Sequence, residues 1–273
     1  MGNILEESLF GKQPKQFESI NALAKAFSVN YCGSTIIRDS IFSIAENYAR
    51  KRELTLEVLR YPFKDEELWA FTFVKKGTIF LCVNSGLDLC KQIFAVAHEL
   101  YHIHCYAEDI DPSTIASGSL LDSKTADDTA KSQEDLEANA FAGLLLMPDG
   151  ILDEQIKLYG IAADKISVDD VLILMELFAL PYKAVVLRLV ENHDISNSKA
   201  KELLECDSDY VSERIKLTGK ALKWQQNSKD LSYLGSLLDD MEYNKEQELL
   251  TESREKSDME YLEKIRKGFL VEG

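Results

Sequence analysis

The chain has no CxxC pair, no apolar run near the ~20 residues needed to span a bilayer, and far fewer basic than acidic side chains. Each shortage excludes something. The five cysteines, Cys32, Cys82, Cys90, Cys105 and Cys206, form an odd set that reads as reduced thiols in the cytoplasm rather than as a disulfide framework. The run Met1-Gly2-Asn3-Ile4-Leu5-Glu6-Glu7 lacks the basic start and apolar centre of a secretory signal, and no membrane association is expected. With 31 Lys and Arg against 47 Asp and Glu, the formal net charge is −16. Such a surface repels a phosphate backbone, so direct binding of nucleic acid is disfavoured.

The 273 residues suffice for one good core and a second, smaller unit, and 45% hydrophobic with 29% charged residues describes an ordinary globular protein. Residues 16–52 read as helical, with Ile20, Leu23, Ala24 and Phe27 and then Ile41, Phe42, Ile44, Ala45 and Tyr48 at helical spacing. A DNA-reading helix-turn-helix around Leu23 to Val29 is the competing interpretation. Packed helical pairs show the same pattern, and the net charge argues against DNA. Three strand-like runs follow, Leu54 to Tyr61, Leu68 to Val74 and Thr78 to Asn84, the last two joined by Lys75-Lys76-Gly77 as in a hairpin. A small antiparallel sheet is therefore expected to lead into the next helix.

From Glu108 to Lys131 the chain is polar and reads as a solvated loop. A helix resumes near Ser132, with an apolar stripe of Leu136, Ala138, Phe141, Ala142 and Leu145, and stops at Met147-Pro148 because proline cannot continue it. Ser167-Val168-Asp169-Asp170 has the form of an N-cap with acidic first-turn residues, and Pro181 suits the first turn of a further helix carrying Val185, Val186 and Leu189. From about Asn197 the sequence is highly charged, reads as helical and shows no site chemistry. The expected division is a domain over residues 1–195 and a charged helical extension over 196–273.

Histidine is also scarce, with four in the chain, yet His98, His102 and His104 fall within seven positions. His98-Glu99-Leu100-Tyr101-His102 follows the apolar run Ile93-Phe94-Ala95-Val96-Ala97, which has neither Gly nor Pro and suits a buried helix. On a helix, residues four apart lie about 40° apart on one face, so both imidazoles can reach one zinc ion. Glu99 lies beside them and is placed instead to take a proton from a zinc-bound water, the general-base role this motif has in metalloproteases. A chance cluster on a solvated helix face is the bland alternative.

Catalytic zinc takes three protein ligands and keeps a fourth position open. Glu134, Asp135 and Glu137 are the candidates for the third, and all three would be merely solvated in the bland reading. Asn139, four residues after Asp135, shares its face and is placed to hold a ligating histidine. His104 points off the His98/His102 face. Cys105 shares that face, but a cysteine ligand would suggest a closed structural site, and a half-hidden core thiol is the commoner role.

The segments Ile79 to Asn84, Ile93 to His102, Glu137 to Pro148 and Phe178 to Leu189, in that order, resemble the ImmA/IrrE family of metallopeptidases over roughly residues 16–192. This resemblance implies an α+β, mostly helical, zincin-like metallopeptidase core with a small antiparallel sheet, to which the charged segment adds a helical C-terminal extension. It also implies a third ligand at Asp135, where relatives carry glutamate, with Glu134 and Glu137 as alternatives. Tyr101 stands where relatives usually have glycine, either narrowing the space beside the motif helix or packing into the core. Arg188 and Tyr106 are candidates to stabilise an oxyanion. The implied activity is zinc-dependent cleavage of a separate protein, a helix-turn-helix repressor, relieving repression in stress response or mobile-element transfer. The competing reading is a metal-binding regulatory protein that docks a partner with little or no proteolysis.

Overall fold

The computed structural model describes residues 4–109, 133–162, 165–227 and 233–270. The polar segment read as a loop lies, from residue 110 on, outside them. Two short helical turns, Ile4–Glu7 and Leu9–Lys12, precede α1 (Pro14–Tyr31) and α2 (Ile41–Lys51). Pro14 opens α1, where a missing N–H costs nothing. The apolar stripes read from the sequence face inward: Phe17, Ile20, Ala24 and Phe27 from α1 meet Ile41, Ile44, Ala45 and Tyr48 from α2, with the Phe27 and Tyr48 rings 5.1 Å apart. Burying each such side chain is worth about 1.5–3 kcal/mol, which fixes the pair against the core.

The strands are β1 (Thr55–Tyr61), β2 (Ala70–Lys75) and β3 (Thr78–Asn84). β2 and β3 form the expected hairpin, its two-residue loop made by Lys76 and Gly77, both at positive φ as a primed turn requires. β1, however, pairs with β3 in parallel, from Thr55 opposite Thr78 to Tyr61 opposite Asn84, so the sheet is mixed rather than wholly antiparallel. The tight hairpin occupies one side of β3, and the chain leaving β1 crosses the sheet end to begin β2 on the far side. Buried Asn84 fastens this crossing. Its carboxamide oxygen accepts from the Phe63 and Gly86 N–H groups, and its nitrogen donates to the Asp65 and Leu68 carbonyls. The strand order β2-β3-β1-β4 leaves β2 on an edge, with the two-residue β4 (Tyr233–Leu234) on the other.

Helix α3 (Leu89–Asp109) follows the sheet, burying Cys90, Ile93, Val96, Ala97 and Leu100. Helix α4 (Gln133–Leu146) lies beside it, almost wholly buried from Ala138 onward, and ends before Pro148, which caps α5 (Asp149–Tyr159). Ser167 and Asp170 complete a capping box at the start of α6 (Val168–Phe178), and α7 (Tyr182–Glu191) begins after Pro181. The fold is α+β and mostly helical.

The charged segment beyond 195 divides in two. Helices α8 (Asn197–Leu204) and α9 (Ser208–Thr218) and the turn after them contribute Ala200, Leu203, Val211, Ile215, Ala221 and Trp224 to the main buried cluster. The Trp224 indole donates to the Glu176 carbonyl at 3.0 Å. By contrast, α10 (Leu237–Glu246) buries no side chain, and α11 (Glu252–Leu270) ends the described chain. No helix among the described residues is long and apolar enough to cross a membrane.

Candidate metal centre

His98 and His102 lie one turn apart on α3, and their Nε2 atoms approach to 3.2 Å. Each ring is held from behind by α4. His98 Nδ1 is 2.9 Å from Asn139 Oδ1, and His102 Nδ1 is 2.8 Å from Glu134 Oε1. Nδ1 of each ring is thus turned to an oxygen on α4, which leaves Nε2 as the atom each imidazole presents to the site. Both Nε2 atoms approach Asp135 Oδ1, 3.9 Å from His98 Nε2 and 3.8 Å from His102 Nε2. One ligand atom from each of the three residues lies within 4.8 Å of the others, an arrangement that suits a metal ion. Zinc bonds of ~2.0–2.1 Å in a tetrahedron set ligand atoms about 3.3 Å apart, so the group fits zinc with a small closure.

Of the three acids, the structure brings only Asp135 together with both imidazoles among the described residues. Glu134 serves His102 instead, and Glu137 turns to the other flank of α4, accepting from the Tyr101 hydroxyl at 2.6 Å, Gln133 at 2.8 Å and Gln16 at 3.0 Å. The Tyr101 ring is buried, 5.5 Å from Phe141, so it packs rather than constricting the site. His104 points away to the Tyr48 hydroxyl, 2.9 Å from its Nδ1, and burial lowers its pKa. Cys105 is outside the group.

Glu99 is 7% exposed. Burial raises its carboxyl pKa, and Asp135 adds to this, while the Thr72 hydroxyl and His102 pull the other way. With His98 it borders a cavity of about 440 Å³ that reaches from Trp69 and Ala70, at the start of the edge strand, to Ala140 on α4 and Leu187 on α7. The cavity thus runs from the start of the edge strand to a desolvated carboxylate beside the His98 imidazole.

The family description of Peptidase M78, the IrrE N-terminal-like domain, matches residues 51–190. The chain belongs to this family. Its fold and its metallopeptidase type follow from that membership, and the IrrE-like region runs from the last residue of α2 to the last turn of α7, taking in the His98, His102 and Asp135 group and most of the cavity lining, with Ser8, Leu9 and Glu191 outside it. No curated protein matches the chain.

Within the IrrE-like region, Arg188 is not placed as the free oxyanion donor that its sequence position allowed. It is 1% exposed, and its guanidinium donates to the Met147 carbonyl from Nε and Nη2, to Asp149 Oδ1 at 2.6 Å and to Glu191 Oε2 at 2.8 Å. This knot ties the end of α4 to α5 and α7. Gly143 makes room for it, since a Cβ there would lie 2.9 Å from Arg188 Cδ. The Tyr106 hydroxyl, one turn beyond His102, is buried and has no hydrogen-bond partner among the described residues. Sequence reasoning missed the Glu134 contact with His102. The only available signal was an acid one residue before Asp135, and helix acids are usually solvated.

Proposed function

We propose that this protein is a zinc-dependent endopeptidase, with His98, His102 and Asp135 as metal ligands and Glu99 as general base. The observation that carries this reading is the convergence of two imidazole nitrogens and one carboxylate oxygen next to a buried glutamate on the same helix. When bound, Zn²⁺ supplies Lewis acidity that makes water a usable nucleophile and polarises the carbonyl to be cleaved. Asn139 and Glu134 keep the imidazoles in the required tautomer and orientation. Glu99 accepts the proton of the attacking water at its carboxylate and delivers it to the leaving amine. Desolvation makes that carboxylate a stronger base than an exposed one. The unpaired side of β2 offers backbone hydrogen bonds to an extended segment of a protein substrate lying along the cavity.

The substrate we favour is a helix-turn-helix repressor. Family resemblance supports it, and so does charge: a surface of net charge −16 complements the basic face of a DNA-binding protein. We place the protein in the cytoplasm, where reduced thiols such as its five cysteines persist. Co-expression with a repressor encoded beside it, comparing wild type with Glu99→Gln, tests the assignment. Cleavage only by wild type, with metal retained by both, is the expected result. Equal cleavage by both defeats it.

A second reading, partner docking with little proteolysis, draws on the exposed Leu237, Tyr243, Leu249 and Tyr261 of the C-terminal segment. Under that reading the repressor binds intact to wild type and to Glu99→Gln alike.

A further inference from the structure

We propose that Tyr101 and Glu137 form a strut that sets the roll of α4 and thereby delivers Asp135 to the two imidazoles. The inference rests on the metal-site reading above and adds two positioning residues to it.

At about 100° per residue, Glu137 lies about 160° around α4 from Asp135. Asn139 and Phe141 continue those two faces one turn on. Helix α3 therefore holds α4 at three points around its girth. His98 holds Asn139, about 40° to one side of Asp135, and His102 holds Glu134, about 100° to the other. Farther round on that second side, about 60° past Glu134, the Tyr101 hydroxyl holds Glu137 at 2.6 Å while its ring meets Phe141. Fully buried Ala138 sits between these points, its small side chain allowing the helices to approach. Gln16 on α1 and Gln133 donate to Glu137 Oε1, leaving Oε2 to the tyrosine and fixing the carboxylate plane.

A helix held only by side chains near its metal-facing side can still roll. An atom ~6 Å from the axis moves about 1 Å for each ~10° of roll. Metal bonds tolerate departures of only about 0.2 Å. Asp135 has a single methylene with which to absorb such a shift, one fewer than glutamate, so its reach depends on the roll being fixed. The tyrosine one residue before His102 and the acid two residues after Asp135 supply that constraint.

The test is a competition titration of Zn²⁺ against a chelating dye, using the full chain as wild type, Tyr101→Phe, Glu137→Ala, the double variant, and Tyr101→Phe with Asp135→Glu. Loss of an outer contact to a metal site typically weakens affinity about 10–100-fold. Each single variant is expected to lose that much, and the double variant no more than Glu137→Ala, in which the Tyr101 contact is already gone together with those of Gln16 and Gln133. Adding Asp135→Glu to Tyr101→Phe is expected to recover affinity because the longer carboxylate follows a rolled helix, a rescue that a purely structural role for Tyr101 would not produce. Wild-type affinity in Tyr101→Phe, or losses that multiply in the double variant, overturns the strut alone. Absence of zinc binding by wild type defeats the metal-site reading and the strut with it.

Discussion

His98 Nε2 and His102 Nε2 face each other at 3.2 Å while both rings turn Nδ1 to α4, to Asn139 and Glu134. Side-chain exposures of 17% and 20% leave both rings partly open. A metal ion bound between them would contribute to the stability of the fold as well as to its chemistry.

Metal removal should therefore lower the melting temperature. Zinc at about 1,000 times its dissociation constant stabilises the folded state by ~4 kcal/mol, or roughly 10 °C for a chain of this size. Differential scanning fluorimetry with a chelator, then with zinc restored, reads the shift. An identical melt in both conditions contradicts the site.

Glu99→Gln should separate binding from chemistry. The amide fills the same buried volume but cannot accept a proton, so zinc content stays near wild type while turnover falls by about 10²–10⁴. Metal analysis beside cleavage kinetics decides it, and loss of metal in the variant would mean that Glu99 is a ligand.

Asp135 and Glu134 should differ in how much zinc binding depends on them. Asp135→Ala removes a group aimed at both imidazoles and should abolish tight zinc binding. Glu134→Ala frees the His102 ring to turn and should weaken binding about 10–100-fold. The opposite order, measured by the same titration, would move the third ligand to Glu134.

The spacing of His98, Glu99 and His102 was legible because helical geometry alone puts them on one end of one site. Asn139 was legible for the same reason, being four residues from Asp135. What one chain cannot show from spacing is how two helices meet. Whether Glu134, Asp135 or Glu137 reaches the histidines depends on the roll of α4 against α3, which Ala138, Phe141 and Tyr101 set through packing. The hairpin was readable from Lys76-Gly77. The parallel placement of β1 was not, since it follows from a crossing held by Asn84, whose side-chain bonds leave no periodic trace. Sequence left Arg188 and Tyr106 as equal candidates, because a cation near a site suggests a donor until its partners Asp149 and Glu191 are seen.

Arg188→Ala should cost about 3–5 kcal/mol, because it leaves Glu191 and Asp149 without their buried counter-charge. The knot also has a pH signature. Burial alone would raise the Asp149 carboxyl, but Asn21, Arg188 and Lys25 outweigh it and hold the pKa below the usual value. Its contribution is thus fully present above the unfolded pKa of ~3.9 and is lost as pH falls through the folded value. Glu191 runs the other way, since burial pushes its carboxyl up. Asp149→Asn should therefore flatten the acid limb of a stability–pH curve measured by urea unfolding. An unchanged limb would mean that Asp149 titrates alike in both states.

Truncation distinguishes the two halves of the C-terminal segment. Ending the chain at 195 strips Leu203, Ile215 and Trp224 from the core and frees the Tyr182 hydroxyl from the Leu203 carbonyl at 3.1 Å. Trp224→Ala alone, which also leaves the Glu176 carbonyl without its indole donor, should cost ~3–5 kcal/mol. The shorter chain should then fail to give a cooperative melt. Ending at 227 removes α10 and α11 but keeps that cluster, so folding and zinc affinity should persist, while any partner held by the exposed Leu237, Tyr243 and Tyr261 would be lost. Circular dichroism melts of the two truncations, with zinc titration of the longer one, settle where the catalytic unit ends. A cooperative melt from the 195-residue chain would put that end before α8 and reduce the Trp224 cluster to an attachment.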